Sequence, residues 1–475
     1  MRDEVPRVVS YADFDAMCNS VARGLRRQGV TAGDRVGILS LNRVEYLAVV
    51  FGSIRAGVVP VPVNIKLKSD AVRSILVDCS AAMVFAESRF LDLSEKDIPT
   101  VVFDAVDKRA FNLFVDVGEF QAIDPTPETI AIQPYTSGST GRPKGVLLTH
   151  ASQNWARKTL AHFRKTKPDD VFLVAAPLYH KNALLAVKQA LTAGATIPLL
   201  PQFDIKRYLQ AIEQFHATII SGVPTMIAML LSDRETLARY DVSSVKLISI
   251  GSAPASASLV NAMLDVFPQA EVMLNYGVTE GGPVPFGPHP NGEPRPQGSV
   301  GYPWPGTEAK LLGGASEDQG ELWLRNPGIL SGYHNLPHET STRLQDGFYR
   351  TGDVFRRDQN GFYFFVGRTD DMFNCGGENI FPAEVEAILD RHPGVQQSIV
   401  VPVGHEFKGQ VPHAFIIRRA NSKLTEDELK RFALDNAPPY MHPRRVHFIE
   451  NFPLSGTNKI DRRQLAAMAS GSANE

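Results

Sequence analysis

The sequence predicts an α/β and α+β protein, with a large N-terminal domain of mainly parallel sheets layered with helices and a small C-terminal α+β domain. Three observations carry that prediction. The runs "VFLVAAP", "ATIPLL", "ATIISGV", "VKLISIGS" and "AEVMLNYG" are apolar and β-branched throughout, as parallel strands covered on both faces must be. Helical stretches such as "IKRYLQAIEQF" and "TMIAMLL" separate several of them, the alternation of a βαβ fold. After about residue 320 the texture changes to "GELWLR", "GFYFFVGR", "QSIVVPV" and "HAFIIRR". We therefore place a large domain over 1–369 and a small one over 370–475, the second beginning near "GRTDDM".

The elements follow in order. Phe14, Met17, Val21 and Leu25 recur at helical spacing, and Gly29 stops that helix before "DRVGILS", a short buried strand. A second helix across "VEYLAVVFGSIRAG" leads into "VVPVPVN". Two further helices, in "PAEVEAILDRH" and "EDELKRFALDNA", belong to the small domain.

Composition narrows the function. The 475 residues are 43% hydrophobic and 21% charged with a formal net charge of -2, so no basic stripe offers itself to nucleic acid. Cys18, Cys79 and Cys375 are far apart and lack metal or disulfide spacing, which fits a reducing compartment and a cytoplasmic protein. The longest apolar region, "LAVVFGSIRAGVVPVPV", is interrupted by Arg55, glycines and prolines, so no membrane span is expected. There is no repeat and no coiled-coil heptad; a homodimer stays open.

One stretch stands out chemically. "YTSGSTGRPKGVLLTH", residues 135–150, gathers Thr136, Ser137, Ser139 and Thr140 with Gly138, Gly141, Gly145 and Lys144. Glycines let a backbone approach a ligand closely, and hydroxyls, amides and a cation suit phosphate oxygens. It is not a Walker loop, because Gly145 follows Lys144 and "GVLLTH" reads as a strand. Taken alone, the stretch reads equally well as an exposed Ser/Gly turn.

Four more segments stand in a definite order: "NYGVTEGG" at 275–282, "YRTGD" at 349–353, "GRTDDMFNCGGENIFPAEVE" at 367–386 and "PLSGTNKIDRR" at 453–463. Together with the first, they resemble the motifs of the adenylate-forming superfamily, which includes acyl- and aryl-CoA synthetases, firefly luciferase and peptide-synthetase adenylation domains. The resemblance covers nearly the whole chain. It implies an AMP-forming carboxylate–CoA ligase that uses ATP, Mg2+ and coenzyme A, and in which the small domain is mobile.

The resemblance also assigns roles. Thr136, Ser137, Gly138, Ser139, Thr140, Gly141 and Lys144 would embrace the β- and γ-phosphates, Thr279 would contact the α-phosphate, and Glu280 would hold Mg2+. Tyr276 would lie against adenine, Asp353 would accept from the ribose hydroxyls, and Arg368 would stand nearby. Lys459 would bridge carboxylate and α-phosphate, although Asn458 precedes it where many members have glycine. Asp370 matches the hinge, and Gly376 and Gly377 the wall of the thiol tunnel. Cys375 beside them has no evident base and reads as an inert thiol.

The acid pocket is built in this family near "PLYHKNALLA", "GSAPAS" and the "NYGVTE" strand. His180 would border the carboxylate, and Gly251, Ser252, Ala253 and Asn275 would line the same nucleotide and acid cleft. His180, Lys181, Asn182 and Ser252 make the candidate lining partly polar, which favours a small carboxylic acid over a long alkyl chain. The chain also begins close to its first helix, as in compact ligases for short branched hydroxy acids such as 2-hydroxyisobutyrate, which becomes the substrate expectation. Benzoate-like aryl acids are the alternative, followed by medium-chain acids and by loading of a carrier protein supplied in trans. Lys408 and Arg444 are the cations available to the CoA nucleotide, unless they are ordinary surface charges.

Overall fold

The computed structural model describes residues 6–137, 142–454 and 460–471. The chain divides into two compact units: Met1–Ala211 with Thr279–Pro283 and Pro327–Leu344, and Ile212–Val278 with Val284–Asn326 and Gln345–Glu475.

The first unit opens as expected. The Tyr11–Arg27 helix starts at a capping box formed by Ser10 and Asp13, buries Cys18, Val21, Ala22 and Leu25, and ends before Gly29 at a φ of 78°. Four parallel strands follow in spatial order Val59–Pro62, Arg35–Leu39, Ala81–Ala86 and Thr100–Val102, connected through the Val44–Arg55 and Ser69–Asp78 helices. A second sheet centres on Pro143–Thr149, which pairs antiparallel with Ile130–Ile132, Tyr135–Ser137 and Gly332–Tyr333. "GVLLTH" is thus largely strand. "VFLVAAP" yields only the short strand Phe172–Leu173, beside isolated bridges from Val171 to Thr196 and from Val174 to Leu199.

The second unit contains parallel strands Ile219–Gly222, Leu247–Gly251 and Glu271–Asn275, with Leu247–Gly251 in the middle. Antiparallel strands then run in the spatial order Phe286–Gly287, Ser299–Pro303, Tyr363–Arg368, Phe348–Arg357, Gln319–Arg325 and Glu308–Ser316. Parallel sheets therefore account for part of the molecule, and antiparallel or mixed ones for the rest.

The last sheet, in the same unit, pairs Glu378–Ile380, Phe373–Cys375, Gly409–Arg418 and Val395–His405, with Arg445–Phe448 added parallel to Gly409–Arg418. Period-two alternation decides its faces. Val400, Ala414 and Ile416 join the core with Val385, Leu389, Leu429 and Ala433. Ile399, Val401 and Phe415 turn the other way, onto Leu465 and Ala469. The sheet is covered by helices on both sides, which explains why "IVVPV" within it is apolar without a break. At its border Phe381, just before the Pro382–Leu389 helix, lies over Gly367, where a Cβ would come within 2.9 Å of the ring.

Among the described residues, no helix is long and apolar enough to cross a membrane.

Candidate active site

In the first unit, strand pairing sets Thr136 opposite Lys144. Thr136 Oγ1 donates to Glu280 Oε1 at 2.8 Å, and the Tyr333 hydroxyl donates to the same oxygen at 3.4 Å. Leu330 N–H donates to the Glu280 carbonyl at 2.7 Å. Glu280 is 9% exposed, its carboxylate held between two hydroxyls.

Lys144 is buried, its ammonium paired with Glu339 and 5.7 Å from the centroid of the Tyr333 ring. The hydrogen bond from Lys144 holds the Glu339 carboxyl below the usual range. Gly145 departs from the sequence expectation. A Cβ there would meet Gln133 Nε2 at 2.8 Å and the Tyr135 ring at 3.0 Å, so its small size serves packing within the sheet.

His180 is the N-cap of the Lys181–Ala193 helix, its ring centroid 4.7 Å from that of Tyr179. Lys181 turns from the expected acid lining toward the Thr279–Glu280 segment, donating from Nζ to the Thr279 carbonyl at 2.9 Å. Burial pulls its pKa down to about 7 against the opposing pull of Glu280.

In the second unit, Gly251 and Asn275 face each other at the carboxyl ends of adjacent parallel strands, where α/β sheets open toward ligands. The Asn275 amide donates to Ser249 Oγ, the Ile250 carbonyl and the Met273 carbonyl at 3.1, 3.1 and 3.2 Å, fastening those strand ends together. Ser252 follows with a φ of 70°, a left-handed conformation unusual outside glycine, and Ser252 and Ala253 are exposed.

Asp353 is the centre of a second cluster. It lies in the Phe348–Arg357 strand, in register with Arg368, and is 4% exposed. Arg368 Nη1 donates to Asp353 Oδ1 at 2.8 Å and the Tyr276 hydroxyl donates to Oδ2 at 2.6 Å. The Tyr276 ring packs against Phe355 and Phe286 at centroid distances of 4.8 and 6.0 Å. Burial and the Asp353 charge both raise the Tyr276 phenol well above its ordinary value. Burial opposes the charge on Arg368, but Asp353, Asp370 and Asp371 outweigh it and raise its pKa.

Asp370 lies 3.6 Å from Arg368 Nη2, directly after the strand that carries Arg368. Gly376 and Gly377, at φ values of 63° and 98°, form the two-residue turn joining Phe373–Cys375 to Glu378–Ile380. That hairpin requires positive φ at both positions, so the turn itself explains the glycine pair. Cys375 is a free, buried thiol.

Gly138, Ser139, Thr140, Gly141 and Lys459 lie outside the described residues, as does the side chain of Ser137. Sequence reasoning missed Tyr333 and Glu339, because their partners Glu280 and Lys144 are distant along the chain. Among the described residues there is no group of three or more His, Cys, Asp or Glu side chains able to hold a metal unaided. The single Glu280 carboxylate, steadied by Thr136 and Tyr333, suits Mg2+, which takes most of its other ligands from phosphates and water.

One unit thus holds a carboxylate and hydroxyl cluster, and the other an aromatic ring with a buried carboxylate. Residues 3–334 match the family model described as AMP-binding enzyme, and residues 384–459 match the AMP-binding enzyme C-terminal domain. A feruloyl-CoA synthase of Amycolatopsis sp is 33% identical over 95% of this chain and 92% of its own. A fatty acid–acyl-carrier-protein ligase of Streptomyces coeruleorubidus is 31% identical over 97% of this chain and 91% of its own. The crystal structure of an anthranilate CoA ligase in complex with anthranoyl-AMP superposes with a TM-score of 0.89 at 26% identity, covering 98% of this chain and 93% of that one. The chain belongs to the AMP-binding enzyme family, among its AMP-forming acyl- and aryl-CoA ligases.

Proposed function

We propose that this enzyme couples an aryl carboxylic acid to coenzyme A through an acyl-adenylate. The substrate oxygen attacks the α-phosphate of ATP and pyrophosphate leaves; the CoA sulfur then attacks the acyl carbon and AMP leaves with its phosphate oxygen. Glu280 would hold Mg2+, Thr136 and the 137–141 stretch with Lys144 would take the outer phosphates, and Thr279 the α-phosphate. Tyr276 would face adenine, and Asp353 with Arg368 the ribose. Gly251, Ser252, Ala253 and Asn275 would line the cleft, and His180 would border the reacting carboxylate.

In the second step the small domain, 370–475, would turn about Asp370, withdraw Lys459 and present Gly376 and Gly377 to the thiol. The observation that carries the reading is the convergence of Thr136 and Tyr333 on Glu280, which readies one carboxylate for a cation.

For the substrate, the aryl alternative gains over the small hydroxy acid read from the sequence, because similar proteins are named for feruloyl and anthranilate substrates. A carrier-protein thiol as acceptor is the second reading, favoured by the likeness to the carrier-protein ligase. Pyrophosphate release over a panel of cinnamic, benzoic, hydroxy and fatty acids, with CoA, with a carrier protein or with neither, tests all three. Turnover confined to hydroxy acids would remove the aryl assignment, and acyl transfer to the carrier protein alone would remove CoA.

A further inference from the structure

Lys181 is a cation in an unfavourable place. It begins the Lys181–Ala193 helix, where the macrodipole opposes positive charge. Its stem runs along a crevice whose lining includes Pro62, Ile132, Pro134, Tyr179 and Leu184, which desolvates the ammonium. Two penalties at one side chain point to a function that requires it.

The ammonium ends on the Thr279 carbonyl at 2.9 Å. That carbonyl belongs to the peptide preceding Glu280, and the Glu280 carbonyl itself accepts from Leu330 N–H at 2.7 Å. Peptide planes on both sides of Glu280 are thus held, while Thr136 and Tyr333 hold its carboxylate. Lys181 supplies a side-chain hold on the Thr279 side. It also follows His180 directly, so the same turn of helix places the histidine.

We infer that Lys181 is a positioning residue for adenylation: by gripping the Thr279 carbonyl it fixes the Thr279–Glu280 peptide and so aims the Glu280 carboxylate at the nucleotide-bound metal. The inference rests on the proposed role of Glu280. In this role Lys181 acts through the backbone it holds.

The test is acid-dependent exchange of labelled pyrophosphate into ATP by the full-length enzyme, with Mg2+, ATP and acid varied separately and Tm recorded. Lys181→Met keeps the stem and removes the donor, whereas Lys181→Arg keeps a donor. Loss of a charged hydrogen bond corresponds to roughly a ten- to hundredfold effect. Lys181→Met is expected to raise the Mg2+ activation constant and KM for ATP by about tenfold or more, with KM for the acid unchanged. Lys181→Arg should recover a good part of both, and it carries the test if the methionine variant does not fold. Wild-type Mg2+ and ATP constants in Lys181→Met would overturn the inference and leave the functional reading standing. So would a fall in activity that merely follows Tm. Absence of any exchange by the wild-type enzyme would instead overturn the functional reading, and the inference with it.

Discussion

Tyr276 and Asp353 share a 2.6 Å hydrogen bond in which the phenol donates to Oδ2, while Arg368 takes Oδ1. An ionised carboxylate has about four acceptor positions, and the ribose hydroxyls would be further donors to it under the proposed role. Asp353→Ala should raise KM for ATP by about tenfold or more, because it removes those acceptors and strands Arg368. Tyr276→Phe keeps the ring and loses one hydrogen bond. It should cost about 1 kcal/mol in urea unfolding and change KM for ATP by less than about threefold.

Lys144 is committed to Glu339, although its proposed task is to meet phosphate. Glu339→Gln removes the competing charge. It should lower KM for ATP by roughly two- to fivefold, the scale of a partly exposed ion pair, whereas Lys144→Met should raise it. An increase in KM for Glu339→Gln, seen in initial rates at saturating acid, would show that Glu339 assists the lysine.

The two half-reactions should separate genetically. Lys459→Ala should lower acyl-adenylate formation on the order of 10²–10³-fold, the size of one lost electrostatic contact in a transition state. It should still convert a supplied acyl-adenylate and CoA. Asp370→Pro should impair one half-reaction selectively by restricting the dihedral change at the proposed hinge. Single-turnover assays of each step check both, and equal loss of both steps in Lys459→Ala would count against its assignment.

Asp390 gives a pH test independent of catalysis. Burial raises its carboxyl from 3.8 to about 7, opposed by the Ser398 hydroxyl that donates to it at 2.7 Å. The folded state therefore binds the proton more tightly than the unfolded chain, and this contribution to stability is full below the unfolded pKa and lost as pH rises through about 7. Asp390→Asn should have its largest Tm advantage over wild type near pH 8, shrinking toward pH 4. A pH-independent difference in Tm would rule out this titration.

Local patterns were the legible part of the chain. The first helix closed by Gly29 and the strand in "GVLLTH" follow from periodicity and punctuation. Long-range closure was not legible. Glu280 and Tyr333 meet only because Gly332–Tyr333 joins the sheet beside Val146 and Leu147, a pairing that no local pattern announces. Lys144 and Glu339, 195 residues apart, meet for the same reason. Gly145 shows the converse error, for a glycine inside a motif suggested ligand access while its own sheet already fills the space.

The Phe381 side chain rests on the bare backbone of Gly367. Position 367 offers that ring no side chain to interlock with. A methyl group at 367 would meet Phe381 at 2.9 Å, so Gly367→Ala should displace that ring and slow any motion at the proposed hinge.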